Sequence, residues 1–415
     1  MQTLTKLILA ICALFLGSLQ KVESSQIKLG IDQVFTKKYE GLLRGKKVGL
    51  ITNHTGINSQ FQSSIHSFKQ HAVQGGYTLQ ALFAPEHGIT GGSYAAENIE
   101  HLVDVDGIPI YSLYGKTHRP TKAMLKNIDV LVYDIQDIGS RSYTYMTTLF
   151  YVMEEAAKMN ISVVVLDRPN PINGLTVDGP ILQPAWRSIV GYINVPYCHG
   201  MTIGELALYF NQEYQIGCPL TIVPMQGWKR EMSFQDTGCS WIPTSPNIPE
   251  ASTTLYYPTT GILGELQIVN IGIGYTLPFK LIGAPWICAE EFAKHLNDQH
   301  FPGVHFYPFY YRPFYGRFCK QDCQGVLISI TDPTNYLPVS TQYLLIGMLK
   351  SLYPKAFQQA LDEKSDRINM FNKVNGTDEV YRILKEEKYV IWKLKELHQK
   401  ERGAYLAKRQ KYLIY

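Results

Sequence analysis

The chain has 415 residues, 45% hydrophobic, 12% aromatic and 18% charged. That composition excludes a disordered, collagen-like or coiled-coil chain, and the length suits about two domains. A net charge of +4, from 39 Lys+Arg against 35 Asp+Glu, is too small to argue for nucleic acid as a partner.

The first element in chain order is an export signal. Lys6 precedes the apolar run Leu7–Gly17 (LILAICALFLG), which has h-region length and is too short to span a bilayer comfortably. Residues 1–25 are therefore read as a cleaved signal peptide, which makes the protein periplasmic or secreted. No later run reaches the ~18 apolar residues of a membrane span, so none is expected after cleavage. The six cysteines beyond the signal show no CxxC or zinc-ligand spacing and are read as scattered thiols.

Four continuous apolar runs follow, at 48–52, 79–84, 130–135 and 162–166. Runs without alternation suit strands covered on both faces, as in a parallel sheet. The stretch 142–160 predicts a helix between the last two, with Gly139-Ser140 expected to cap it. Together these predict an α/β, Rossmann-like layer over residues 26–200, preceded by the signal at 1–25. Beyond residue 200 the rhythm changes to a second α+β region over 201–415. Its strands are expected at 220–224, 267–273 and 326–330, and its helices from about Thr202 and at 289–297, 341–352 and 379–387. The tail from Val380 to Tyr415 carries ten Lys/Arg and four Glu, which reads either as a solvated amphipathic helix or as a contact for an anionic polymer.

There is no GxSxG elbow, phosphate loop or HExxH helix, and nothing calls for a metal or cofactor. What remains is a set of acids placed just after strands, where α/β sheets bind ligands. Pro85 ends one strand and presents Glu86 and His87 on a rigid edge. Asp134 and Asp137 follow the next, with Arg141, Tyr143 and Tyr145 after them, and Asp167-Arg168-Pro169-Asn170 follows the third. Paired carboxyls in one crevice suit glycoside hydrolysis, one donating a proton and the other ionised. Asp134 and Asp137 also admit a structural reading, as helix caps or as partners of Arg141 or Arg168.

The motifs Ala84-Pro-Glu-His-Gly88, Asp134-Ile-Gln-Asp-Ile-Gly139, Leu166-Asp-Arg-Pro-Asn-Pro171 and His199-Gly-Met-Thr-Ile-Gly-Glu205 resemble the NamZ-type exo-β-N-acetylmuramidases. The resemblance continues through Ser245–Pro249, Tyr257-Pro258, Gly283–Trp286 and Phe371–Thr377, over nearly all of the chain after the signal. It implies a Rossmann-like domain followed by a smaller α+β auxiliary domain, with the active cleft between them. It also implies release of terminal non-reducing N-acetylmuramic acid, or a related amino sugar, from peptidoglycan fragments or muropeptides, with Glu86 as the favoured catalytic carboxylate. His87, Asp134 and Asp137 are carried over as further catalytic candidates. Asn53, Arg141, Tyr143, Arg168, Asn170, His199, Asn247, Tyr257 and Glu265 are carried over as candidates for holding substrate, the arginines facing the lactyl carboxylate. The chain departs from the family pattern at Cys198 and Ile273, where arginines are usual, and both losses are expected on the second wall of the cleft. The alternatives are a muropeptide-binding protein without turnover, and an esterase or deacetylase acting on the same polymer.

Overall fold

The apolar runs form adjacent strands because each has two faces to bury. In this computed structural model, which describes residues 26–93 and 102–415, the strands are β1 (Lys47–Thr52), β2 (Thr78–Ala84), β3 (Leu102–Val103), β4 (Pro109–Ser112), β5 (Val130–Asp134), β6 (Ser162–Leu166) and, further on, β9 (Leu220–Val223). The expected signal at 1–25 lies outside the described residues. The sheet order is β3-β4-β2-β1-β5-β6-β9, parallel except for β3. Val48, Leu50, Val130 and Val132 pack on one face with Phe68 and Trp228, while Ile51, Leu131 and Tyr133 pack on the other. This two-sided burial is why the strands are apolar throughout rather than alternating.

Helix α1 (Ser64–Gly75) links β1 to β2, α2 (Thr144–Lys158) links β5 to β6, and α3 (Ile203–Glu213) leads into β9. The sheet thus continues past residue 200, because β9 pairs with β6 and completes the layer. The expected cap at Gly139-Ser140 is displaced: Tyr143 is the N-cap of α2, and its side chain makes no capping bond. The chain leaves β1 toward β2 and β4, then returns at β5 and proceeds toward β6 and β9. The crevice between the ends of β1 and β5 is therefore the topological switch point.

A short antiparallel pair, β7 (Asp178–Ile181) with β8 (Pro196–Cys198), precedes α3. The second unit holds the antiparallel sheet β10-β12-β11, from β10 (Leu281–Ala284), β11 (Val304–Tyr311) and β12 (Cys323–Ile330). Around it lie α4 (Ala289–Asn297), α5 (Pro338–Leu352), α6 (Pro354–Glu363), α7 (Ile368–Asn375), α8 (Glu379–Glu386), α9 (Val390–Glu396) and α10 (Gln399–Arg409). The strand expected at 267–273 does not form. Gln267 has φ 53° and Gly272 has φ 81°, so the chain turns twice and keeps only an Asn270–Gly283 bridge.

One hydrophobic cluster runs unbroken from α2 and α3 into the second unit, through Leu263, Phe292, Leu345 and Leu394. Among the described residues, no helix is long and apolar enough to cross a membrane.

Candidate active site

Glu86 sits where the sequence places it, two residues beyond β2. The Gly88 N–H donates to the Pro85 carbonyl at 3.1 Å, closing a turn with Glu86 and His87 at its two central positions. His87 has φ 68° there, a left-handed conformation that such turns normally reserve for glycine or asparagine. Its Nδ1 bonds the Ser93 carbonyl at 2.8 Å, which ties the following loop to the turn.

The Glu86 carboxylate is buried and held by hydroxyls. Thr144 Oγ1 donates to Oε2 at 2.6 Å, and the Tyr114 hydroxyl also bonds the carboxylate. Thr144 is the first residue of α2, so the carboxylate also meets the N-terminal, partially positive end of that helix. Tyr114 enters from the chain just after β4, the next strand of the sheet beyond β2. Neither residue carries a sequence signal for function. Only the neighbouring order of β4, β2, β1 and β5 brings them to Glu86.

The other acids of the strand ends are engaged elsewhere. Asp134 is fully buried and takes both Arg168 donors, Nε at 2.6 Å and Nη2 at 2.9 Å, with Ser64 Oγ on its second oxygen. Of its two readings, the pairing with Arg168 is the one the fold adopts, and it occupies the charge of both residues. Asp167 is turned away from the crevice. It accepts from Thr202 Oγ1 and the Gly204 N–H at the start of α3, and from the Tyr415 hydroxyl at 2.7 Å. Burial, then the nearby Glu205, pushes its carboxyl up to about 7.

Asp137 Oδ1 accepts the Ile138 and Gly139 N–H groups at 2.6 and 3.0 Å, closing the turn before α2. Burial pushes its carboxyl up to about 7, against the opposing pull of those N–H groups. Its Oδ2 finds no hydrogen-bond partner among the described residues, nor does His199 Nε2. Both residues line one cavity of about 10 Å³, with room for a single water. His199 Nδ1 accepts the Met201 N–H, and burial with Arg409 and Arg141 nearby drives the imidazole down to about 3. The ring is therefore neutral with its proton on Nε2.

Arg141 does not face a cleft. It is wholly buried and donates to the carbonyls of Pro180, Val195, Val374 and Asn375, at 2.7, 2.8, 3.1 and 2.6 Å. It ties β7 and the chain before β8 to the C-terminal end of α7, where helix carbonyls favour a cation. Gly376 follows, with φ 75°, and a Cβ there would stand 2.7 Å from Arg141 Nη2. That contact accounts for Gly376 in the Phe371–Thr377 motif.

The remaining candidates divide between scaffold and cleft. Tyr143 and Tyr145 fasten the loop after Cys239 through Thr244, their hydroxyls on its Oγ1 at 3.0 Å and its carbonyl at 2.7 Å. Asn170 accepts the Ile172 N–H and donates to the Met201 carbonyl. Asn53 Oδ1 holds Thr55, while its buried Nδ2 has no partner among the described residues. His54, beside it, bonds the Pro243 carbonyl through Nε2, and burial lowers its pKa. Asn247 is half-buried on the same loop as Thr244.

From the second unit, Tyr257 reaches Ser142 Oγ at 3.2 Å, and burial pushes its hydroxyl up to about 12, helped by the charges of Glu265 and Glu86. Glu265 is paired with Arg367 at 2.8 Å, yet burial raises its carboxyl. Tyr257 thus stands near both glutamates, where the two units meet.

Of the two departures from the family pattern, Cys198 is fully buried in β8, opposite Asp178, so that arginine loss falls in the core and not on a cleft wall. Ile273 is half-buried and packs against the main core. The His199–Glu205 motif has a structural cause as well. Thr202 and Glu205 form a capping box on α3, and Glu205 also binds Arg230 and the Ile414 N–H. Thr-x-x-Glu before an apolar run is the signal by which the sequence could have shown it.

Models of exo-beta-N-acetylmuramidase NamZ match the chain, the N-terminal one over residues 48–252 and the C-terminal one over 255–415. The chain belongs to this family, and the protein is accordingly a glycosidase. It is 39% identical over 397 residues to the peptidoglycan beta-N-acetylmuramidase NamZ of Bacillus subtilis (strain 168), covering 95% of this chain and 93% of that protein. Two crystal structures of DUF1343 family proteins from Bacteroides fragilis NCTC 9343 share the fold. BF0371 is 40% identical with a TM-score of 0.86, and BF0379 is 26% identical with a TM-score of 0.69; each covers 94% of this chain and 99% of its own.

Proposed function

We propose that the protein is an exported exo-β-N-acetylmuramidase that releases N-acetylmuramic acid from the non-reducing ends of peptidoglycan fragments, with Glu86 as the acid/base carboxylate. The observation that carries this reading is Glu86 itself, held by the Thr144 and Tyr114 hydroxyls while Asp134 is bound to an arginine and Asp167 is turned into the scaffold. Identity to the Bacillus enzyme over 95% of the chain supplies the substrate class. The run Leu7–Gly17 after Lys6 supports export.

In this reading one of two carboxyls gives its proton to the glycosidic oxygen as the bond to the muramic acid C1 breaks, and Glu86 is one of the pair. A water then adds to C1, and its proton returns to a carboxylate. Glu265, near Tyr257 with its carboxyl raised by burial, is the candidate for the second carboxylate. Asn53 Nδ2, buried without a partner among the described residues, is a candidate donor to substrate.

The test is release of free sugar from a defined muropeptide or a chromogenic β-N-acetylmuramide, comparing wild type with Glu86→Gln. We expect kcat to fall by at least about 10²-fold with folding retained. Near-normal kcat in the folded variant would remove Glu86 from the chemistry. No release by the wild type from any muramide would remove the activity.

A further inference from the structure

The basic tail is not a uniformly solvated helix. Arg402 and Arg409 are drawn inward onto backbone carbonyls, Arg402 on Leu397 and Arg409 on Gly200. Exposed lysines continue along the whole tail, and on the segment from Lys385 to Lys395 they accompany exposed rings. There α9 buries Val390 and Leu394 in the core and, one turn apart on its outer side, leaves Tyr389 70% and Trp392 69% exposed. Two large rings exposed within one turn make a local aromatic patch.

Lysines accompany both rings. Lys388 Nζ lies 5.4 Å from the Tyr389 ring centre, and Lys395 Nζ lies 5.6 Å from that of Trp392 and 5.5 Å from that of Phe301. Lys385 and Lys393 are exposed on the same segment, opposed by exposed Glu386 and Glu396.

We propose that this aromatic and basic face is a second binding surface, separate from the Glu86 site, for the carboxylate-bearing glycan of polymeric peptidoglycan. A pyranose offers a patch of C–H bonds that a flat exposed ring covers, and the free carboxylates of the stem peptides meet the flanking ammonium groups. The chemistry favours a glycan over a bilayer. An interfacial helix inserts an apolar face with aliphatic anchors, whereas here the aliphatic residues Val390, Leu394 and Leu397 are buried and only aromatic rings project. The inference rests on the peptidoglycan reading above for its ligand class.

The experiment is co-sedimentation of the full chain with purified insoluble peptidoglycan, alongside vesicles of phosphatidylglycerol and phosphatidylcholine. The variants are Trp392→Ala with Tyr389→Ala, and Lys393→Glu with Lys395→Glu. Hydrolysis of a small soluble muramide serves as the control for folding. We expect wild type to sediment with peptidoglycan and not with vesicles, and the aromatic variant to lose at least about fivefold of that binding. The charge variant loses binding that the wild type itself loses as salt rises. Turnover of the small substrate should stay within about twofold of wild type, because the altered residues lie outside the Glu86 site. Undiminished sedimentation of both variants would overturn the proposal, as would wild type that turns over the muramide but stays in the supernatant, or that binds vesicles instead. Variant-sensitive sedimentation by a protein that releases no sugar would uphold this surface while refuting the activity, so the two failures are distinguishable.

Discussion

Replacing Arg141 by lysine separates a scaffold role from a role in gripping substrate. The guanidinium spans four carbonyls contributed by β7, the chain before β8, and the last turn of α7. A lysine keeps the charge but brings one ammonium to one point, so at most about two of those carbonyls stay satisfied. Each hydrogen bond from a charged donor is worth about 1.5–3 kcal/mol, so losing two costs about 3–6 kcal/mol. Against a typical total of about 5–15 kcal/mol that is a large fraction. With a urea dependence of about 3 kcal/mol per M in a chain of this size, the unfolding midpoint should fall by about 1–2 M. Urea titration followed by circular dichroism reads the shift, and KM for a soluble muramide, measured on the folded fraction, should stay within about twofold. An unchanged midpoint with a tenfold higher KM would refute the reasoning and return Arg141 to the cleft.

Thr144→Val removes the 2.6 Å donor to Glu86 at nearly constant volume, and kcat should fall about 10- to 100-fold while Thr144→Ser stays within about threefold. Steady-state kinetics on the same muramide checks this, and equal kcat in the valine variant would show that the hydroxyl does not position the carboxylate. Asp137 and Asp167, both raised to about 7, hold protons more tightly in the folded chain than in the unfolded one. Their contribution to stability is complete below about pH 4 and is lost as pH rises through about 7. His199, lowered to about 3, acts in the opposite sense, but its effect is complete by about pH 6.5. The denaturation midpoint should therefore drop between pH 6.5 and pH 8.5, and Asp137→Asn should flatten the drop; a midpoint that rises over that interval contradicts the assignment. Tyr415→Phe removes a hydroxyl that donates to Asp167 and accepts the Met225 N–H at 2.8 Å, at a cost of about 1–3 kcal/mol. A thermal melt should show the loss while muramide turnover at 25 °C is unaffected.

The sequence by itself determined the parts whose cause is local. Continuous apolar runs at 48–52, 79–84, 130–135 and 162–166 form strands buried on both faces, and the helix expected at 289–297 has those bounds. The place of Glu86 was legible for the same reason, since a proline that ends a strand and a glycine that turns the chain act within four residues. Local pattern misled at 267–273, where left-handed backbone at Gln267 and Gly272 breaks an otherwise apolar stretch.

Only the tertiary structure decided which charged residues are available for chemistry. Asp134, Asp167 and Glu86 look alike as acids after strands, yet Arg168 neutralises the first and the Tyr415 hydroxyl and the start of α3 hold the second. The third meets Thr144 and Tyr114, from two other elements of the same layer. Arg141 finds its acceptors 233 and 234 residues away, on Val374 and Asn375. A carboxylate or guanidinium takes its role from the donors, acceptors and burial around it, and those partners converge only when the distant parts of the chain pack together.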